Sequence, residues 1–267
     1  MIVDKYKYLI SAFCNAWEML IDFNIPFEKK IKSYADDEFD NDMVLFFFPI
    51  VGLLIGLLIF FLLHIALLLL NIKAVSLIFS VLLAIFLEAM FSGRNISSLV
   101  SFCELRNAGH NNLEALVQID DDFSTQKTSF GTLALVVLFL IKIISLGLLI
   151  YFNYIVWIPI MLVANFAVQG YLAKENDWTT GEPILEISKQ TEQNNLYISI
   201  LAVFVLGLFC NLFVALTIGL IVALLVKYTT IYLREKLGGV TPKIIGFIGY
   251  IVELIMLLLG ISLLLKG

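Results

Sequence analysis

Three places in this 267-residue chain gather residue types that could do chemistry. The first is FSGRNISSLVSF, Phe91 to Phe102, where Arg94, Ser98 and Ser101 recur four and three residues apart with no carboxylate among them. A guanidinium and two hydroxyls can hydrogen-bond to a substrate or hold an anion, but they offer a divalent metal no negative charge. The second is a pair of ionisable residues inside apolar runs, Lys142 and Glu253. Each costs at least about 2.5 kcal/mol at the centre of a membrane helix. Lys142 lies about 18 Å into its run and Glu253 about 13.5 Å into its own, at 1.5 Å per residue, so the two can meet. Such a pair is either structural glue or the floor of a polar cavity. The third is REKLGGVTPKIIGF, in which Gly238 and Gly239 permit close backbone approach and Thr241 supplies a hydroxyl. Pro242 can open a helix whose N-terminal amides would attract a phosphate, although these residues by themselves favour a capping glycine followed by a plain turn. Gly238, Gly239, Thr241, Lys142 and Glu253 are the candidate binding residues. No residue is assigned as catalytic or as a metal ligand. Glu88 and His64, near opposite ends of their helices, read as interface residues.

The elements that must position these groups are membrane helices. Hydrophobic residues make up 61% of the chain and charged ones 15%, against about 25% charged in soluble domains, and the mean hydropathy is +0.98. A net charge of −5 gives no basic footprint for nucleic acid. Cys14, Cys103 and Cys210 lack the spacing of a disulfide framework or a zinc site. The N-terminal apolar stretch is interrupted by Asn15 and Glu18 and is expected to be retained rather than cleaved as a signal peptide.

A helix needs about 20 apolar residues to cross a bilayer. Met43 to Leu70, Ala74 to Met90, Phe130 to Phe152 and Ile244 to Leu265 meet or approach this, and Ile155 to Leu172 is a slightly short fifth. Leu196 to Lys227 would reach about 48 Å as one helix, too long for a single upright crossing. Folding it back near Cys210 and Asn211 gives seven spans. Of the 17 Lys and Arg residues, only Lys73 and Lys266 then fall on the far side and Lys142 within a span; the remainder share one face. The positive-inside rule makes that face cytoplasmic, with Met1 inside and Gly267 outside. The expected fold is therefore an all-α polytopic membrane bundle of about seven helices, in one integral membrane domain over residues 1–267. Residues 1–42 form its cytoplasmic or interfacial N-terminal segment and 43–267 its transmembrane bundle. The long connections, including Phe91 to Ser129, are expected on the cytoplasmic face. Tyr6, Ile10, Phe13, Trp17 and Leu20 or Ile21 recur at helical spacing and predict an N-terminal amphipathic helix, lying in the membrane interface or packed on the cytoplasmic loops. In the first span, FFFPIVGLLIGLL carries Gly52 and Gly56, a spacing that admits a second helix closely.

Three stretches, FFFPIVGLLIGLL, SFGTLALVVLFLIKI at Ser129 to Ile143 and LREKLGGVTPKIIGFIGYIVELIMLL at Leu233 to Leu258, resemble in order and spacing the cobalamin synthase family, adenosylcobinamide-GDP ribazoletransferase. IDFNIPF, Ile21 to Phe27, is similar to that family's entry segment. The resemblance implies a cytoplasmic-facing, Mg²⁺-dependent transfer late in cobalamin biosynthesis, in which α-ribazole or its 5′-phosphate attacks a GDP-activated corrinoid and displaces GMP. It also implies a run of aspartates after the second span, and Arg94, Ser98 and Ser101 occupy that register. The family's Asp, Arg and Gly positions before Phe130 fall within STQKTS, its Gly-Asp after Thr241 is Pro242-Lys243, and Asn165 stands for an arginine. Mg²⁺ is thus implied by the family and doubtful in this chain. Asp120, Asp121 and Asp122 do not rebuild the site, because adjacent carboxylates on a helix point about 100° apart. The expected reading is a degenerate relative in the inner membrane that binds a corrinoid, a nucleotide, a second copy of itself or other membrane proteins of the cobalamin pathway. An active ribazoletransferase with an unusual Mg²⁺ site and a small-molecule transporter are the alternatives.

Overall fold

A computed structural model of the chain describes residues 2–21, 43–70, 72–91, 94–107, 129–176, 193–237 and 239–264. Asp120 to Asp122, STQKTS, Gly238 and most of IDFNIPF lie outside them. The described elements are helices: α1 (Ile2–Leu20), α2 (Val44–Leu69), α3 (Ile72–Met90), α4 (Arg94–Asn107), α5 (Ser129–Tyr151), α6 (Trp157–Glu175), α7 (Gln193–Leu208), α8 (Leu212–Tyr232), a π-helical turn (Leu233–Leu237) and α9 (Pro242–Leu264). α2, α5, α9 and α8 with its π-helical turn are long and apolar enough to cross a membrane, and α3 is a shorter apolar helix. Their exposed Leu, Ile, Val and Phe side chains, such as Leu58, Leu62, Leu133, Leu140, Leu216 and Leu220, form the apolar outer surface that a bilayer would solvate. The chain is an integral membrane protein of the all-α polytopic class.

The run from Leu196 to Lys227 does fold back where expected. Residues 209 and 210 form a turn, and Asn211 caps α8 by accepting a hydrogen bond from the Val214 amide at 2.8 Å.

α6 is the hub. It is buried along almost its whole length, packed by α2, α7, α8 and α9. A helix surrounded in this way needs no polar face, which is why it shows no amphipathic pattern. α2 runs antiparallel to it at very short range. A Cβ placed on Gly56 would stand 2.5 Å from Pro159 Cα, and one on Gly52 would stand 2.8 Å from Leu162 O. The glycine spacing is therefore a packing face. On the opposite side, the Trp157 indole donates to Met256 O at 2.7 Å and ties α6 to α9.

Two expectations change. α1 presents Ser11, Ala12, Cys14, Ala16, Leu20 and Ile21 inward, while Ile10 is exposed; the side chain of Tyr6 lies outside the described residues. Phe13 meets Phe47 edge-on at 5.8 Å. The helix thus packs on the first span, with Phe13, Trp17, Leu20 and Ile21 on the packed side as expected, small residues beside them, and Ile10 off it.

The second change concerns Phe91 to Ser129, read from sequence as a cytoplasmic connection. Its residues 94–107 form α4, which lies along α5 and α9. Three contacts fix its course. Ser80 on α3 stands against Gly147 on α5, Glu88 on α3 against Lys142, and Glu104 on α4 against Gly131. α3 and α4 therefore follow one antiparallel path beside α5. Ile96, Leu99 and Cys103 recur at helical spacing and pack on Leu135, Leu138, Ile141, Tyr250 and Leu254, and Phe102 stacks on Phe247 at 4.0 Å. The serines between them hid this apolar face.

Candidate functional site

The path of α3 and α4 brings three ionisable side chains together inside the bundle. Lys142 Nζ lies 2.6 Å from Glu88 Oε1 and 2.9 Å from Glu253 Oε1. Lys142 and Glu253 are completely buried, and Glu88 is 6% exposed. The bond to Glu88 has hydrogen-bond geometry, whereas Glu253 contributes an ion pair without an aligned hydrogen bond. The Tyr250 ring lies over the ammonium at 5.3 Å from its centroid.

The expected meeting of Lys142 with Glu253 is thus present, and Glu88 is an addition. Sequence placed Glu88 at a helix end near an interface. α4 prolongs the path beyond Met90, so residue 88 falls midway along it. His64 is exposed and stacks on Phe60 at 5.9 Å.

A second polar feature lies on α6. Gln169 Nε2 donates to Asn165 Oδ1 at 2.8 Å, and both side chains press on Gly249 of α9, where a Cβ would collide with them. Asn165 is fully buried and its Nδ2 has no partner.

The segment before α9 is separate from the ion cluster, since Thr241 precedes Glu253 by about 18 Å along the helix. Gly239 adopts φ 152°, a conformation that suits glycine, and its amide donates to Leu233 O at 3.2 Å. Thr241 caps α9: its Oγ1 accepts from the Ile244 amide at 3.3 Å and its carbonyl from the Ile245 amide at 3.1 Å. Pro242 is the first residue of the helix, as expected. One first-turn amide that could have met a phosphate, that of Ile244, is therefore already engaged. Beside this segment, between α8 and α9, lies a cavity of about 350 Å³ whose walls include Phe102, Tyr228, Tyr232, Leu237, Ile244 and Phe247. Its volume falls in the range of small-molecule sites, but its lining is almost wholly apolar.

Ser98 is buried and Ser101 half-buried on α4; the side chain of Arg94 lies outside the described residues. The sequence reading missed Glu104. Extending the series 94, 98, 101 by three more residues reaches it, so the signal was present one turn beyond the quoted stretch. It is 2% exposed, with neither carboxylate oxygen partnered, and fits against Gly131. Gly131 and Lys142 are about 16 Å apart along α5, so Glu104 is remote from the other two acids. Among the described residues, no three His, Cys, Asp or Glu side chains gather in a way that could hold a metal ion. Where two carboxylates do converge, the Lys142 ammonium fills the cation's place. The described donor set does not fit a divalent metal.

A family model described as Cobalamin-5-phosphate synthase matches residues 13–261. No curated protein and no solved structure matches the chain.

Proposed function

The chain belongs to the cobalamin-5-phosphate synthase family, and from that premise we propose that it is a catalytically silent member, which keeps the bundle and a capacity to bind corrinoid or nucleotide but has lost Mg²⁺-dependent transfer. The observation that carries this reading is the donor set. Arg94, Ser98 and Ser101 stand where the family resemblance implies aspartates, and the described acids are dispersed or paired with Lys142. A serine hydroxyl can enter a metal shell but brings no charge, and Arg94 would repel the cation. Mg²⁺ is held through only one or two carboxylates besides substrate phosphates, so losing several at once leaves little affinity. Retained binding would use the cavity between α8 and α9, whose walls include Phe102, Tyr228, Tyr232 and Phe247. Lys142 and Glu253 would support the fold around it.

The reading predicts that purified protein with adenosylcobinamide-GDP, α-ribazole 5′-phosphate and saturating Mg²⁺ yields no cobalamin phosphate, while titration with the GDP-activated corrinoid detects binding. Metal-dependent turnover would establish the active ribazoletransferase instead. Absence of both turnover and binding would remove corrinoid and nucleotide as ligands.

We further place Met1 in the cytoplasm and Gly267 outside, in the inner membrane, on the distribution of Lys and Arg. A reporter fused after Gly267 is expected to be active only if it works outside the cytoplasm. A fusion active only inside overturns this orientation.

A further inference from the structure

The ion cluster holds two carboxylates and one ammonium, all removed from water. With every group ionised it would carry one net negative charge in the interior of a membrane bundle, where an uncompensated charge is the least tolerated arrangement. Among the described side chains none supplies the missing positive charge; those of Arg94 and Arg106 on α4 lie outside them. On α9, Tyr250 is a neutral acid; on α5 and α3, Lys142 and Glu88 are already counted; on α6, the polar groups beside Gly249 are the amides Asn165 and Gln169; on α4, Glu104 is remote and would only add negative charge.

Hydrogen-bond accounting points the same way. Glu88 Oε2 and Glu253 Oε2 are buried and neither receives a hydrogen bond; the Tyr250 hydroxyl, also buried, has no partner either. Ionised carboxylates accept hydrogen bonds at both oxygens when buried, whereas a protonated one supplies a donor of its own. From the geometry we infer that the Glu88–Lys142–Glu253 cluster is a membrane-embedded proton-binding site, which holds one proton across its two carboxylates and is thereby neutral. The ligand is a proton taken from water: one carboxylate becomes a carboxylic acid, and no other bond changes. The cluster joins α3, α5 and α9, so the same proton sets how tightly those three helices are clamped. This is independent of whether the family's transfer reaction survives.

The test is infrared difference spectroscopy on the full-length protein in lipid nanodiscs at neutral pH, comparing the parent with Glu88→Gln, Glu253→Gln and, as a reference for an isolated buried acid, Glu104→Gln. Each single change in the cluster leaves one carboxylate against one ammonium, already neutral. Glu88→Gln and Glu253→Gln are therefore each expected to lose one carboxylic-acid C=O band, although they remove different residues, and to keep the parent's thermal midpoint. Combining Glu88→Gln with Glu253→Gln strands Lys142 and should lower the midpoint. The inference is overturned if the parent shows no such band beyond the one removed by Glu104→Gln. It is equally overturned if the band survives in Glu88→Gln and vanishes only in Glu253→Gln, which would mean that one acid is neutral on its own account and no proton is shared.

Discussion

Lys142→Met is expected to remove most folded protein from detergent extracts of the membrane. Methionine nearly matches the shape of the lysine stem but leaves Glu88 and Glu253 facing each other with no cation between them. Breaking a buried ion pair from one side costs about 3–5 kcal/mol, a large part of a total stability of about 5–15 kcal/mol. The ratio of folded to unfolded protein should fall by roughly two to four orders of magnitude, at about 1.4 kcal/mol per factor of ten. The measurement is the yield of monodisperse protein by size-exclusion chromatography, followed by the thermal midpoint of whatever survives. Adding Glu88→Gln and Glu253→Gln to Lys142→Met should restore most of the yield, since a complete neutral replacement of a buried charge cluster is often neutral or stabilising. A Lys142→Met protein as abundant and heat-resistant as the parent would show that the cluster contributes little to the fold.

The sequence made the pairing of Lys142 with Glu253 legible because depth along a helix follows from residue count, and two opposite charges at similar depth in lipid have few other partners. It did not make Glu88 legible. That inference required knowing that the path of α3 continues through α4, and the apolar face of Ile96, Leu99, Phe102 and Cys103 is diluted by serines and by Arg94 to the point where the segment reads as a loop. The same dilution hid Glu104. That the chain is a bundle of apolar helices was visible in hydropathy, and the turn at Cys210 and Asn211 in the excessive length of one run. The central place of α6 was not visible, because a helix buried on every side differs in sequence from a lipid-facing one only by a few polar residues such as Asn165 and Gln169. Thr241 shows a different limit. A threonine before proline and a helix suits a cap and an anion site alike, and only the hydrogen bond from the Ile244 amide shows that its oxygen is used locally.

The resemblance and the packing meet in FFFPIVGLLIGLL, which yields the other large expected effect. Gly56→Ala should destabilise the protein by about 3 kcal/mol, the upper end of the range for overpacked cores. The added methyl would stand 2.5 Å from Pro159 Cα and 3.0 Å from its Cβ. Those atoms belong to backbone and a fixed ring, so no side chain can rotate away. α2 would have to withdraw from α6, loosening contacts that reach from Leu45 near Gly170 down to Gly56, and membrane helices have mainly such close packing to hold them together. Gly147→Ala is the matched control, because its methyl would meet the flexible Ser80 hydroxyl at 3.3 Å and little else; its cost should stay below about 1 kcal/mol. Thermal midpoints of the two variants in the same detergent decide the matter. If Gly56→Ala melts with Gly147→Ala and the parent, the close approach of α2 to α6 is not what holds the bundle together. If it alone melts early, the glycine spacing that carried the family resemblance is explained by contact between two backbones, with no substrate needed to account for it.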